Sequence, residues 1–259
     1  MDLVTMTVKD SWVEAERHLR IIPRNIELLM FATIQPIMFV VLFVYVFGGA
    51  IEVPGFSSYD QFLIPGIFSQ SLVFGSAFTG VGLAEDLSKG LVDRLRSLPM
   101  SRAAVIIGRT ISDLVRNVIT FLVMLVVAIW PIGFRFEGSL VEAVLATLLL
   151  LLFSFALSWV QALMGLSVGS VEAANSAGFI WMFPVTFVSS AFVDPASMPD
   201  WLEPVADANP FTIVTNAARA LYNGNPVGNN AIYSILWSVG IIVVFAGLSI
   251  RKFNRSTSA

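Results

Sequence analysis

Six stretches without a charged residue, 28–51, 61–84, 117–134, 143–171, 173–193 and 220–250, constrain this chain more than anything else in it. An α-helix rises about 1.5 Å per residue, so crossing a hydrocarbon core of about 30 Å takes roughly 20 apolar residues. Only 117–134 falls short, and it can extend backward along a helix carrying Arg109 and Arg116, whose long side chains can reach the interface. The last stretch is overlong, and its apolar part begins near Ala231. Glu172 alone separates the fourth from the fifth, which makes that connection a tight turn. Backbone polar groups in lipid must be satisfied within a helix or a closed barrel. The expected fold is therefore an all-α membrane protein with six transmembrane helices. Composition agrees: 13% of residues are charged and mean hydropathy is +0.81, whereas soluble domains carry about a quarter charged residues.

Basic residues set the orientation. With both termini cytoplasmic, Lys9, Arg17, Arg20, Arg24, Lys89, Arg94, Arg96, Arg102, Arg109, Arg116, Arg251, Lys252 and Arg255 lie inside, and only Arg135 and Arg219 lie outside. That asymmetry satisfies the positive-inside rule. Three regions follow: 1–27, a cytoplasmic amphipathic interfacial helix; 28–250, a six-span transmembrane domain; and 251–259, a basic cytoplasmic tail. Within the first region, residues 10–22 place Trp12, Ala15, Leu19 and Ile22 on one stripe, and Glu16 and Arg20 are spaced to pair. Asp10, Glu14 and Glu16 precede an apolar run longer than that of a cleaved leader.

The segment 194–230 is the longest outer connection. Asn209 suits a helix cap, Pro210 its first position, and Gly224 with Pro226 its end. Phe211, Val214, Ala218 and Leu221 then share a face. One or two short helices dipping into the outer interface are expected, with Trp201 an interfacial anchor.

Several chemistries are excluded. With no cysteine and one histidine, His18, neither a disulfide nor a multi-histidine metal site within one chain is possible. No Gly-Lys step exists, so the chain has no P-loop to hold nucleotide phosphates. Secondary transporters usually place ionisable groups near the bilayer midplane. Here the interior polar residues are Gln35, Asn117, Gln161, Asn175 and Thr186, which suit hydrogen bonds between helices. Gly165 and Gly169 offer a GxxxG face, a weak signal in a glycine-rich membrane protein.

The stretch EDLSKGLVDRLRSLPMSR, 85–102, is the densest charged piece between two apolar runs. Gly90 permits a sharp change of direction, Leu91, Leu95 and Leu98 share one helical face, and Pro99 stops the segment. A helix of two turns is not stable alone in water, so its apolar stripe needs a cover. Anionic headgroups or a partner protein would both serve.

The chain resembles the permease subunits of type-2 ABC exporters, in particular the daunorubicin-resistance branch. The matching pieces are QPIMFVVLFVYVFGG at 35–49, EDLSKGLVDRLRSLPMSRAAVIIGRTISDLVRN at 85–117 and FVDPASMPDWLEPVADANPFTIVTNAARALYNG at 192–224. The resemblance implies that 85–102 contains a coupling helix docking on a separate ATP-binding subunit, with Glu85, Gly90, Leu91, Arg94, Leu95, Arg96, Leu98, Pro99 and Arg102 at the contact. It implies an outer gate carrying Pro199, Trp201, Asn209, Pro210 and Arg219. It further implies a second permease subunit, identical or homologous, and ATP with Mg bound by the partner, so that the chain itself is no enzyme and binds no cofactor. The resemblance also implies a multi-pass protein of the cell membrane, without nucleic-acid partners. The cargo so implied is an amphipathic drug, lipid or glycolipid. Polysaccharide exporters share the architecture, and a channel or ion-driven transporter is the alternative outside it.

Overall fold

The computed structural model describes residues 3–20, 26–47, 56, 58–90 and 102–255, and among these it is all helical. The elements are α1 (Leu3–Leu19), α2 (Ile26–Leu42, continued by a wider π turn, Phe43–Phe47), α3 (Tyr59–Ser88), α4 (Arg102–Val127, continued by a π turn, Ala128–Ile132), α5 (Leu140–Gly165), α6 (Val171–Phe187), a 3₁₀ turn (Pro195–Ser197), α7 (Glu203–Ala208), α8 (Pro210–Tyr222) and α9 (Asn230–Arg255). Each charge-free stretch falls on one of α2, α3, α4, α5, α6 and α9. Among the described residues, four helical stretches, Tyr59–Ser88, Ala103–Ile132, Leu140–Gly165 and Asn230–Asn254, are long and apolar enough to cross a membrane. The 17-residue α6 falls below that length.

Local chemistry sets the boundaries. Ser139 and Glu142 form a reciprocal capping box at the start of α5. Ser170 caps α6 by accepting from Ala173 N, which completes the tight turn expected around Glu172. Asn209 caps α8 by accepting from Phe211 N at 2.9 Å, with Pro210 at the first helical position. At the end of α3, Gly90 takes φ of 64°, and its N–H donates to Leu87 O at 3.1 Å. An L side chain pays strain there and glycine does not.

The helix α3 is the axis of the bundle, buried nearly all round from Tyr59 to Ala84. It packs against α5 most extensively, then α6, α4 and α8. At its contact with α5 the backbones nearly touch: a Cβ on Gly165 would stand 2.2 Å from Gly80 O. Gly169, the other half of the GxxxG pair, meets nothing within 4 Å, so only one glycine of that motif packs. The helix α9 leaves Ile232, Leu236, Val243 and Leu248 exposed along its length, as a helix bathed in lipid does.

Two expectations change at the end of the bundle carrying α1. That helix begins earlier than position 10, and its buried face is Ser11, Glu14, Ala15 and His18, whereas Trp12 is exposed. Of the apolar stripe, Ala15 is buried and Leu19 half-buried, while Trp12 is exposed. Gly108 of α4 explains the choice, since it lets α4 approach to where a Cβ would lie 2.7 Å from Glu14 Cβ. Arg109 and Arg116 do not run out to the interface either. Both turn into the bundle, where carboxylates and backbone carbonyls receive them.

At the opposite end, the segment after α6 holds two α-helices, within the one or two short helices expected, and a 3₁₀ turn before them. The helix α8 is buried against α5, α9 and α3 through Phe211, Val214, Ala218 and Leu221, the face read from the sequence.

Candidate functional site

The stretch 85–102 starts on described ground. Glu85 pairs with Lys89 at 2.5 Å on the exposed last turn of α3, and Gly90 ends the helix. Leu91, Arg94, Leu95, Arg96, Leu98 and Pro99 lie outside the described residues, and Arg102 opens α4. Both ends of the stretch therefore join α3 and α4, the two helices that carry most of the buried charge.

That charge forms one network across α1, α3 and α4. Asp113 is its centre: Oδ1 lies 2.9 Å from Arg116 Nη1, and Oδ2 lies 3.2 Å from Arg109 Nε. Arg109 Nη1 also approaches Asp86 Oδ2 at 3.6 Å, and His18 Nε2 stands 3.9 Å from the same oxygen. On α1, Glu14 takes Arg17 at 2.6 Å and His18 at 3.3 Å. Three arginines thus face three carboxylates, with His18 between them. Burial alone would raise the Glu14 carboxyl, but hydrogen bonds from His18 and Arg17 outweigh it and hold the group at about 2. The space comes from glycines. A Cβ on Gly82 would stand 1.7 Å from Arg109 Nη2, and one on Gly75 would stand 2.3 Å from Asn117 Oδ1. Sequence reading missed the inward turn because it treated arginines near a span end as interfacial.

The outer segment has a second buried cation. Arg219 on α8 is 4% exposed and meets no carboxylate within ion-pair distance among the described residues. Its guanidinium instead donates to Phe62 O at 2.8 Å, Ser190 O at 2.6 Å and Asn216 Oδ1 at 2.7 Å, and it covers the Phe62 ring at 3.8 Å. Burial lowers its pKa from the usual arginine range to about 9, so it stays protonated at neutral pH. Asn209 works in the same corner: its Nδ2 donates to Val185 O at 2.7 Å and Val188 O at 2.8 Å, the unpaired carbonyls at the end of α6. The structure thus brings Asn209, Pro210 and Arg219 together as one clamp between α3, α6 and α8. Pro199 and Trp201 stand apart from it. Pro199 O accepts from Leu202 N at 2.7 Å, and Trp201 is 73% exposed.

The interior polar residues divide. Asn117 donates to Ser154 Oγ at 2.8 Å and joins α4 to α5, and Gln161 reaches Met182 Sδ at 2.7 Å and joins α5 to α6. Thr186 bonds within its own helix, to Met182 O. Gln35 and Asn175 are exposed, and Gln35 borders a cavity of about 120 Å³ between α2, α3, α4 and α6, also walled by Gln70, Phe74, Arg116 and Phe179. Gln70 sits inside an apolar run and carried no signal of its own.

Comparison with known proteins places these features in a context. Residues 11–223 match the profile of a family described as ABC-2 type transporter. The chain is 32% identical over 225 residues to the daunorubicin resistance ABC transporter permease protein DrrB1 of Streptomyces coeruleorubidus, covering 87% of this chain and 79% of that protein. It is 27% identical over 215 residues to a probable doxorubicin resistance ABC transporter permease protein, DrrC, of Mycobacterium tuberculosis, covering 83% of this chain and 77% of that one. A probable multidrug ABC transporter permease of Escherichia coli, YbhR, is 21% identical over 190 residues, which is half of its length.

Proposed function

Since the chain belongs to the ABC-2 type transporter family, we propose that it is the permease subunit of an ATP-driven exporter that moves an amphipathic drug or lipid-like molecule outward. Multi-pass insertion in the membrane and a role as permease rather than catalyst follow from the family. The finer reading is our own. Six helices span the bilayer with both termini inside, and the chain forms half of a pathway completed by a second permease subunit. A separate ATP-binding subunit, which holds ATP and Mg, docks on 85–102. The observation that carries the reading is the family match across 11–223, which contains both that stretch and the outer segment 194–223. The drug-resistance names of the relatives support the cargo class.

The network gives the docking stretch a lever. A displacement applied at Gly90 or Arg102 acts directly on α3 and α4. Arg109 joins α4 to Asp86 and Phe78 O of α3, Arg116 joins it to Gly75 O, and Asp113 holds both arginines in place; Glu14 and His18 carry α1 with them. Buried ion pairs hold a fixed geometry because separating them strands a charge in low dielectric. Nucleotide state can bias the permease only through differential contacts with its two conformations. In this mechanism Glu85, Leu91, Arg94, Leu95, Arg96, Leu98 and Pro99 provide those contacts. The clamp of Asn209, Pro210 and Arg219, together with the separate Pro199 and Trp201, shapes the exit.

The test is co-purification. The full chain is expressed with a candidate ATP-binding subunit from the same genome, and complex yield and vesicle transport are measured. Leu95→Glu is expected to abolish complex formation while membrane insertion is unchanged. A Leu95→Glu chain that assembles and transports normally refutes the docking assignment.

A further inference from the structure

The chain has one histidine, and it stands where the buried charges of three helices meet. On α1, His18 Nε2 faces a donor, Arg17 Nη2 at 3.0 Å, and a carboxylate oxygen, Glu14 Oε1 at 3.3 Å. From α3 it faces Asp86 Oδ2 at 3.9 Å. Its other nitrogen, Nδ1, faces Arg109 Nη1 of α4 at 3.5 Å. Asp113 holds Arg109 from the far side at 3.2 Å, and Glu85 turns outward to Lys89. Asp86 Oδ2 is buried and has no hydrogen-bond partner among the described residues; Arg109 Nη1 stops 3.6 Å away. A buried acceptor left in this state is costly, and native interiors keep few of them.

Proton count decides what the ring does. A neutral imidazole carries one proton and accepts at its other nitrogen, so it can take an N–H from an arginine. An imidazolium carries two protons and accepts at neither, so Nε2 can only donate to Glu14 and Asp86, and its contact with Arg17 becomes repulsive. Charge gives the same answer. Arg17, Arg109 and Arg116 balance Glu14, Asp86 and Asp113 while the ring is neutral. A further cation is costly in a buried site until another leaves. Arg17 is the one able to leave, since its side chain is 33% exposed against 15% for Arg109 and 6% for Arg116. The other two are also held by the Phe78 and Gly75 carbonyls of α3.

We propose that His18 is a proton-operated latch: protonation exchanges Arg17 for the imidazolium as the third cation of the cluster and ties α1 to Asp86 at the end of α3. The exchange needs no free space, because ring and carboxylate are already neighbours. Histidine is the side chain whose ordinary titration falls between pH 5 and 8. Over that range Glu14, held at about 2, stays ionised and the arginines stay charged. Asp86 lies one helical turn before Gly90, where the stretch 85–102 leaves α3. The latch therefore sets how firmly α1 follows that end of α3. Its effect on the ATP-binding subunit rests on the docking reading; the latch itself does not.

A single histidine makes the test direct. The full chain, labelled with ¹⁵N-histidine and placed in lipid nanodiscs, is followed by NMR from pH 8 to pH 5. The ring signals are expected to pass from one protonated nitrogen to two. Thermal melts at both pH values then identify the partners. Arg17→Gln should lower Tm by about 3–5 °C more at pH 8 than at pH 5, because only the charged ring replaces the lost cation. Asp86→Asn should lower it by about 3–5 °C more at pH 5 than at pH 8, because only the charged ring uses that carboxylate. These figures convert a tenfold shift in protonation at about 2–4 °C per kcal/mol. Both differences should vanish in a His18→Gln background. If Asp86→Asn fails to fold, Arg17→Gln with and without His18→Gln decides the exchange. Ring signals that do not change over the range overturn the latch, as do equal costs at the two pH values. Differences that persist without His18 place the proton on Asp86 and overturn it too. Assembly with a candidate ATP-binding subunit is scored separately, and its failure at both pH values counts against the docking reading alone.

Discussion

Replacing Asp113 by alanine removes the anion that two arginines share. Asp113 has 4% of its side chain exposed, and Arg116 has 6%. Without the carboxylate, Arg116 keeps the Gly75 carbonyl at 3.1 Å and the Phe78 ring at 4.6 Å, neither of which carries a countercharge. Arg109 is left with Asp86 at 3.6 Å. Stranding a buried charge in this way costs about 3–5 kcal/mol. In a chain of this size each kcal/mol moves Tm by about 2–4 °C, so the expected drop is roughly 6–20 °C. The assay is thermal unfolding of the detergent-solubilised protein followed by near-UV circular dichroism. Glu16→Ala is the control, since its pair with Arg20 is exposed on both sides and is worth about 1 kcal/mol or less. The double variant Asp113→Ala with Arg116→Met should recover part of the loss, because removing both partners strands less charge than removing one. Melting of Asp113→Ala within about 2 °C of wild type, with the double variant additive, would mean that the arginines reach the interface after all.

Other substitutions probe the glycines, the clamp and the pH response. Gly82→Ala puts a methyl where Arg109 Nη2 lies 1.7 Å away, so it should lower Tm; Gly240→Ala in α9 meets nothing within 4 Å and should be neutral or stabilising by up to about 1 kcal/mol. Arg219→Met removes the guanidinium bonds to Phe62 O, Ser190 O and Asn216 Oδ1, of which Asn216 Oδ1 still keeps Ser190 Oγ at 2.7 Å, and should cost at least about 2 kcal/mol in the same melt, with Arg219→Lys intermediate. Glu14 has its folded carboxyl held at about 2, below the ordinary value of 4.5. Its contribution is therefore complete above pH 4.5 and is lost as pH falls through 2. Melts between these limits should show a pH slope that Glu14→Gln flattens, and equal slopes in the two proteins would refute the role given to Glu14.

Much of the helical architecture was legible from charge alone. The six uncharged stretches all fall on helices because a long apolar run has few other ways to satisfy its backbone. The Asn209–Pro210 start of α8 and the Gly90 end of α3 were equally readable, since each rests on the chemistry of one or two residues. The buried polar face of α1 was not. Glu14 and His18 pack toward α3 and α4 because charged partners receive them there, and the spacing of apolar residues carries no signal for that.

The inward arginines did leave a trace in the sequence, in a spacing rather than a motif. Gly75 and Gly82 are seven residues apart on α3, and Arg109 and Arg116 are seven apart on α4. Seven residues make about two helical turns, so each pair lies on one face. The helices run antiparallel, which sets Gly82 against Arg109 and Gly75 beside Arg116. Asp113, four residues beyond Arg109 and three before Arg116, can reach both on the same face. Two small residues facing two cations around a carboxylate form a buried charge site in which each part needs the others. Without the glycines the guanidinium groups have no room, and without Asp113 they have no reason to leave the interface. A glycine pair read alone suggests close helix packing, and an arginine pair read alone suggests a span end. Their matched spacing on consecutive antiparallel helices points to the arrangement found.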